Sequence, residues 1–435
     1  MNLSNNPIWS PSRLLLIPSA YPNYRLPDDG RVFLNVVAPP KCQIAAITDP
    51  GNLIDCLSDS TELSCWVRHG EGMVGLGTAY SASFADALAV ENWWLELVNS
   101  TTVDCDYALA TEPMAAPVAF ISFPFSLTGT YQIVVPQVVV GHRQGRSWMT
   151  SWDQAIWTPP NPIAQGVLQI EFEPGNLDYE QWCDTVVRMT NRIRAGQLDK
   201  VVLARDEVGR ASSRISHRQV LNRLATSYPQ TWTFCVANLI GASPELLVRQ
   251  DRGLITSRVL AGTIHGNGSA ANLADALSSS SKDLAEHNYA VASVAAALRD
   301  HVTSMHVPEV PFVLQLPNVM HLASDITAIR RPGETAIGLA AAIHPSAAVC
   351  GTPTESAYQM IQELESMDRG RYAGPVGWIN AQGDGEIALA LRCGVIEENT
   401  VRIFAGCGIV ADSNPKAEWE ETVAKLLPIK QALST

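Results

Sequence analysis

Short apolar runs, each only a few residues long, dominate the chain up to about residue 170. Stretches such as 117–123 and 133–140 are separated by Gly, Pro and Ser clusters, the pattern of strands joined by turns. Beyond that point the period lengthens. Tyr179, Trp182, Val186, Met189 and Ile193 recur at steps of three and four, which predicts an amphipathic helix ended by Gly196. Lys200 follows at once, and 200–204 (KVVLA) reads as a buried strand with the lysine at its mouth. Leu284, Val291, Val294 and Leu298 predict a second helix whose apolar stripe leaves Asp283 and Glu286 one turn apart on another side. From Met320 the period becomes two: Met320, Leu322 and Ser324 point one way, while His321, Ala323 and Asp325 point the other. The same alternation over 386–396 groups Leu389, Leu391 and Cys393 against Glu386, Ala388, Ala390 and Arg392, and the small alanines beside an arginine leave room for a ligand. A closing helix carries Glu418, Glu421 and Lys425 on one side and Trp419, Val423 and Leu426 on the other. A soft seam lies near 159–162 (PPNP), with one intertwined body as compatible with the pattern as two.

Composition narrows what such a body does. With 46% hydrophobic and 17% charged residues, the 435-residue chain can bury a large core. No apolar run approaches the roughly 20 residues of a membrane span, and the patch at 14–17 is short for a signal-peptide core, so a cytoplasmic protein without membrane association is expected. Nine scattered cysteines, an odd number with no CxxC pair, suit reduced thiols. A net charge of −13 opposes nucleic-acid binding. It also means that an anionic substrate would need positive charge gathered locally by a few Lys and Arg residues or a bound cation.

Four groups could carry chemistry: Lys200, Glu245 within 241–245 (GASPE), the Asp283/Glu286 pair and the Glu418/Glu421 pair. Taken singly, each carboxylate pair reads as a solvated helix face. Together, oxygen donors from two helices would suit Mg²⁺, which keeps several waters and takes one or two protein carboxylates plus substrate oxygens. Nucleotide loops are not indicated, since neither GxGxxG after a strand nor GxxxxGK[ST] occurs. The SxxK spacing at 279–282 lacks its companion motifs, and His344 before Pro345 reads as a turn or packing residue.

Read in order, these segments resemble the chorismate-utilising enzymes, the family of isochorismate, salicylate, anthranilate and aminodeoxychorismate synthases. The similarity runs through 200–205 (KVVLAR), 241–245 (GASPE), 260–263 (LAGT), 282–287 (KDLAEH), 348–353 (AVCGTP), 369–378 (RGRYAGPVGW), 383–386 (GDGE), 390–393 (ALRC) and 405–425. The resemblance implies an α/β (α+β) fold in which two antiparallel sheets pack as a β-sandwich with helices outside. Residues 171–435 would form the chorismate-binding catalytic core, and 1–170 the more variable N-terminal part of the same body. By the same resemblance, Glu286 and Glu421 hold Mg²⁺, with Asp283 and Glu418 behind them. Arg392 and Tyr372, helped by backbone N–H groups around Gly406 and Gly408, hold the enolpyruvyl carboxylate, and the ring carboxylate falls near the metal, Lys425 and His321. Lys200 resembles the family base and Glu245 the family acid, with Gly262 and Thr263 beside the departing oxygen.

Three positions separate members of the family. Ammonia-using anthranilate synthases have glutamine where Lys200 stands, so lysine favours water as nucleophile. Aminodeoxychorismate synthases have lysine in place of Ala261. Salicylate synthases tend to have threonine where Ala348 lies, and isochorismate synthases alanine. The resemblance therefore implies an isomerase that converts chorismate to isochorismate without an obligate protein partner. The alternatives are a salicylate synthase and a catalytically silent chorismate-binding protein. Two departures are visible: Ile264-His265-Gly266, where many relatives have arginine then glycine, and Cys407 in place of the usual alanine. A base at Lys200 also requires a neutral amine near pH 7, well below the ordinary lysine pKa of about 10.4.

Overall fold

The computed structural model describes residues 39–434 except 61, 161–165, 167, 265–268 and 317–318, together with the side chains of all these residues but Thr263, Ala270, Lys282, Leu316 and Val319. Residues from Pro39 onward form one compact unit. Among the described residues, thirteen strands make one sheet and ten make a second, and the pairing is antiparallel apart from Lys41–Ala46 with Thr102–Cys105. This is the expected mixed fold of two large sheets with helices. Part of the 159–162 segment lies outside the described residues, and the strands on its two sides share both sheets. Leu63–Arg68 pairs with Trp232–Val236 in the first sheet, and Val118–Ser122 pairs with Pro375–Asn380 in the second.

A single apolar cluster joins the sheets, with Trp66 and Phe234 from one meeting Phe120 and Trp378 from the other. Alternation explains which residues enter it, since every second side chain of a strand points to the same face. The helix Tyr179–Arg194 begins at a capping box: Asp178 accepts from the Gln181 N–H at 2.9 Å and the Gln181 side chain accepts from the Asp178 N–H at 3.0 Å. Its Trp182 is fully buried and meets Trp419 edge-on at 6.0 Å, so Trp182→Ala should cost about 3–5 kcal/mol. None of the helices among the described residues is long and apolar enough to cross a membrane. All nine cysteines are free.

Two expectations need correcting. The alternation over 386–396 is not one strand. Gly385–Leu389 belongs to the second sheet and Cys393–Glu397 to the first, and the chain crosses between them with Arg392 in the left-handed region at φ 49°. Glu386 is consequently turned away from Arg392: it accepts from the Trp66 indole at 2.8 Å and pairs with Arg249. In the closing helix, Pro415–Ser434, Val423 is 41% exposed. The buried stripe is Thr422, Leu426, Ile429 and Leu433, at steps of three and four. A threonine can occupy that stripe because its hydroxyl has a buried partner. Arg205 donates to Thr422 Oγ1 at 2.7 Å and to Glu207 at 3.0 Å, with its guanidinium 3.8 Å from the centre of the Trp419 ring.

Candidate active site

The chain crosses from one sheet to the other at two places that lie side by side. One is 243–246, between Leu239–Ser243 and Leu246–Asp251, and the other is 389–393. They are tied by Ser243 Oγ donating to the Leu389 carbonyl at 2.6 Å, the Leu389 N–H donating to the Glu245 carbonyl at 3.1 Å and the Ala242 N–H donating to the Arg392 carbonyl at 3.3 Å. Each crossover delivers one charged group, Glu245 and Arg392, into a cavity of about 340 Å³. Crossovers break the ladder, which frees their side chains to point along the gap between the sheets. Burial pushes the Glu245 carboxyl up to about 7, against the opposing pull of Lys200, Arg392 and Lys425.

Lys200 opens the strand Lys200–Ala211 and is held beside Gly351 and Thr352. Its tail lies over Gly408, where an added Cβ would come 2.5 Å from Lys200 Cε. Its Nζ donates to Glu286 Oε1 at 2.5 Å. The neighbouring strand Thr400–Ile409 supplies the two glycines. Val202 pairs with Gly408 and Ala204 with Gly406, yet the Val202 N–H donates to the Cys350 carbonyl and the Ala204 N–H to Glu365. Both pairs are therefore of the non-hydrogen-bonded kind, and Gly406 and Gly408 turn their own N–H and C=O groups away from that strand. The strand on the other side pairs only as far as Ile403, which leaves these groups open. Lys425 Nζ uses one of them, donating to the Gly406 carbonyl at 2.9 Å, while pairing with Glu421 at 2.6 Å. Tyr372 stacks on Phe404 at 5.2 Å and 9°, and its hydroxyl would stand 3.1 Å from a Cβ at Gly406.

The remaining wall is helical. Ser280 caps the helix Ser281–Leu298, which carries Asp283 and Glu286 into the cavity. Gly262 sits under its first turn at φ 77°, and a Cβ there would come 3.1 Å from Asp283 Cβ and 3.2 Å from its carbonyl oxygen, so both the conformation and the space call for glycine. His321, Ala348 and Glu418 complete the lining. Burial holds the Glu418 carboxyl above its ordinary value, with the Ser413 hydroxyl drawing it back. Thr263 pairs through its backbone with His321, and its side chain lies outside the described residues, as do His265 and Gly266.

Sequence reading missed three supports. Arg369, buried under the cavity, makes two bonds to Glu365, at 2.6 and 2.7 Å, and donates to the carbonyls of Val349 and Val202. It thereby fixes the Lys200 strand against the segment carrying Ala348. The RGRYAGP stretch contained it, but nothing in that stretch distinguishes a brace from a ligand. The others are Arg205 and His287, which bonds the Ala261 carbonyl at 3.1 Å and Ser324 at 2.8 Å.

No group of three or more His, Cys, Asp or Glu side chains is poised for a metal among the described residues. The donor set still fits a hard cation, because Asp283, Glu286, Glu418 and Glu421 reach one cavity from two helices and Mg²⁺ takes few protein ligands. Glu286 and Glu421 are each neutralised by one lysine.

Residues 159–434 match the model of the chorismate binding enzyme family, and the chain belongs to that family. It is 36% identical over 264 residues to isochorismate synthase MenF of Bacillus subtilis, which covers 59% of this chain and 56% of the relative. It is 35% identical over 268 residues to isochorismate synthase EntC of Escherichia coli, covering 60% and 68%. The chain thus spans between about half and two thirds of the length of these curated relatives. The solved structure of MenF, the menaquinone-specific isochorismate synthase of Escherichia coli, shares the fold with a TM-score of 0.75 at 21% identity, over 91% of this chain and 95% of that one.

Proposed function

We propose that this protein is an isochorismate synthase, which converts chorismate to isochorismate with water entering at C2 as the C4 hydroxyl leaves. The observation that carries the reading is Glu245: a carboxyl pushed up to about 7 can stay protonated near neutral pH and give its proton to a leaving oxygen. Lys200 lines the same cavity and is the group to take a proton from water. Isochorismate synthase is also the name carried by the two relatives above.

Hydroxide leaves poorly and water attacks poorly, so the exchange needs both an acid and a base. Arg392, the Tyr372 hydroxyl and the open N–H groups of Gly406 and Gly408 suit the enolpyruvyl carboxylate; Lys425 and His321 suit the ring carboxylate. An acidic protein can in this way receive a dianion. Glu286 and Glu421 would hold Mg²⁺, with Asp283 and Glu418 behind them. When bound, the ion would stabilise charge that shifts toward the ring carboxylate. Ala348 brings no hydroxyl to the cavity, which favours isomerisation without pyruvate elimination. Incubation of the full chain with chorismate and Mg²⁺, followed by chromatography and a coupled pyruvate assay, tests the proposal. Isochorismate without pyruvate is expected. Pyruvate formed in step with chorismate loss would mean a salicylate synthase, and chorismate binding without turnover a silent binding protein.

A further inference from the structure

Glu286 can serve a cation only if its helix is held at one height and roll against the second sheet. Its bond to Lys200 does not do this, because Lys200 belongs to the first sheet. The next residue does. His287 is 1% exposed, and its ring spans two strands of the second sheet, with Nδ1 3.1 Å from the Ala261 carbonyl and Nε2 2.8 Å from Ser324 Oγ. A carbonyl only accepts, so Nδ1 carries the proton and Nε2 accepts from the serine.

Ala261 lies where the ladder with Val319–Arg330 slips by one residue, between Ala261 and Thr263. A bulge displaces ladder bonds and re-aims the backbone. The imidazole takes the carbonyl at that slip, and the extra residue, Gly262, is the seat under Asp283. The helix is therefore fixed at two points one turn apart, Asp283 on Gly262 and His287 on Ala261, and Glu286 lies between them. We propose that His287, through the Ala261 carbonyl, is the positioning residue that sets the Glu286 carboxylate for a divalent cation. This rests on the reading that Glu286 holds one.

Two polar substitutions separate the two bonds. His287→Asn keeps an N–H near the place of Nδ1 and so keeps the bond to Ala261. His287→Gln puts its amide near the place of Nε2, toward Ser324, and leaves the carbonyl unmet. Mn²⁺ is titrated into the full chain in an equilibrated chorismate mixture, and free Mn²⁺ is followed by its electron paramagnetic resonance signal, with melting temperature measured alongside. His287→Asn should bind Mn²⁺ within a few-fold of the unsubstituted protein, while His287→Gln should bind about 10- to 100-fold more weakly, the usual range for groups that orient a metal ligand. At saturating metal the kcat of the Gln variant should largely recover. Equal affinities in the two variants, whether both normal or both weak, would overturn the positioning role. Failure of the unsubstituted protein to bind Mn²⁺ would instead overturn the cation reading on which it rests.

Discussion

The cavity has a strand-built half and a helix-built half, and they treat charge differently. Lys200, Glu245, Arg392 and Tyr372 come from strand mouths, sheet crossovers and the segment before Pro375, where neighbouring backbone pins them. Burial acts on two of them directly, pushing the Glu245 carboxyl and the Tyr372 phenol up. Glu286 and Glu421 come from helices, keep 29% and 30% side-chain exposure, and are each neutralised by a lysine. The paired lysines are only 18% and 23% exposed, and a divalent cation held by these two glutamates would take the place of the lysine charge. The strand half is built to hold a protonation state, and the helix half to exchange one cation for another.

The sharpest way to break this division is to remove the proton-handling groups. Lys200→Ala should lower kcat by on the order of 10² to 10⁴ with chorismate binding largely intact, and Glu245→Gln should do the same, because the amide keeps the shape but has no acidic proton. Steady-state kinetics with chorismate and Mg²⁺ saturating decide it. If Lys200→Ala instead weakened binding with kcat near normal, Lys200 would be an electrostatic clamp, and the strand half would have lost its base.

On the helix half, Glu286→Gln and Glu421→Gln should cripple turnover and weaken Mg²⁺ binding by more than the loss of a group that only orients a ligand, and exhaustive EDTA treatment should abolish turnover until Mg²⁺ is returned. The fold should persist, since these side chains line a cleft and leave the core intact. Circular dichroism before and after chelation checks that point. Full turnover in EDTA would remove the cation from the scheme.

The sequence disclosed the two halves unequally. Helical periodicity was enough to bring Asp283 with Glu286 and Glu418 with Glu421, because residues three apart share a face whatever the tertiary structure. The strand half was legible for Lys200, whose lysine stands at the edge of an apolar run. Over 386–396 alternation misleads, because a period of two continues unbroken while the chain leaves one sheet for the other. Nothing in the residue type of Arg392 announces a left-handed backbone. Residue type alone places the apolar Val423 in the buried stripe and leaves out the polar Thr422, yet Thr422 is buried with its hydroxyl donating to the Trp419 carbonyl and accepting from Arg205, a partner distant in sequence. His287 was hidden for the same reason: its two bonds reach residues 26 and 37 positions away.

A smaller effect follows pH. An acid must be protonated to act, so kcat/KM should fall about tenfold per unit as pH rises above the Glu245 value of about 7, or above a lower value where a bound cation pulls it down. Glu245→Gln should lack that limb. Stability must move in the matching sense. Below 4.5 the carboxyl is protonated in both folded and unfolded chains; between 4.5 and about 7 only the folded chain keeps the proton; above about 7 the full cost of ionising it in place is present, on the order of 3 kcal/mol. Denaturant midpoints of the two proteins should therefore diverge as pH rises from 4.5 to 7, with Glu245→Gln the more stable at the alkaline end. Parallel profiles would show that Glu245 is no more buried in solution than an ordinary carboxylate.

The mildest substitution tests whether the two glycines of the Thr400–Ile409 strand do the same work. A methyl at Gly408 meets Lys200 Cε at 2.5 Å and Nζ at 3.2 Å, the far end of a flexible side chain that can move aside. A methyl at Gly406 meets the Leu203 carbonyl oxygen at 2.9 Å and the Tyr372 hydroxyl at 3.1 Å, and the first of these is backbone. Gly408→Ala should therefore leave the melting temperature almost unchanged and lower kcat by about three- to thirtyfold, because displacing a reacting group by a fraction of an ångström already lengthens the proton's path. Gly406→Ala should act on the other end of the substrate, raising KM and costing about 1–3 kcal/mol of stability as the crowded strand shifts. Kinetics and thermal unfolding of the two variants, measured side by side, distinguish these outcomes. If Gly408→Ala raised KM with kcat unchanged, Gly408 would serve only to admit the carboxylate to its N–H. The placing of Lys200 would then have to come from its strand alone.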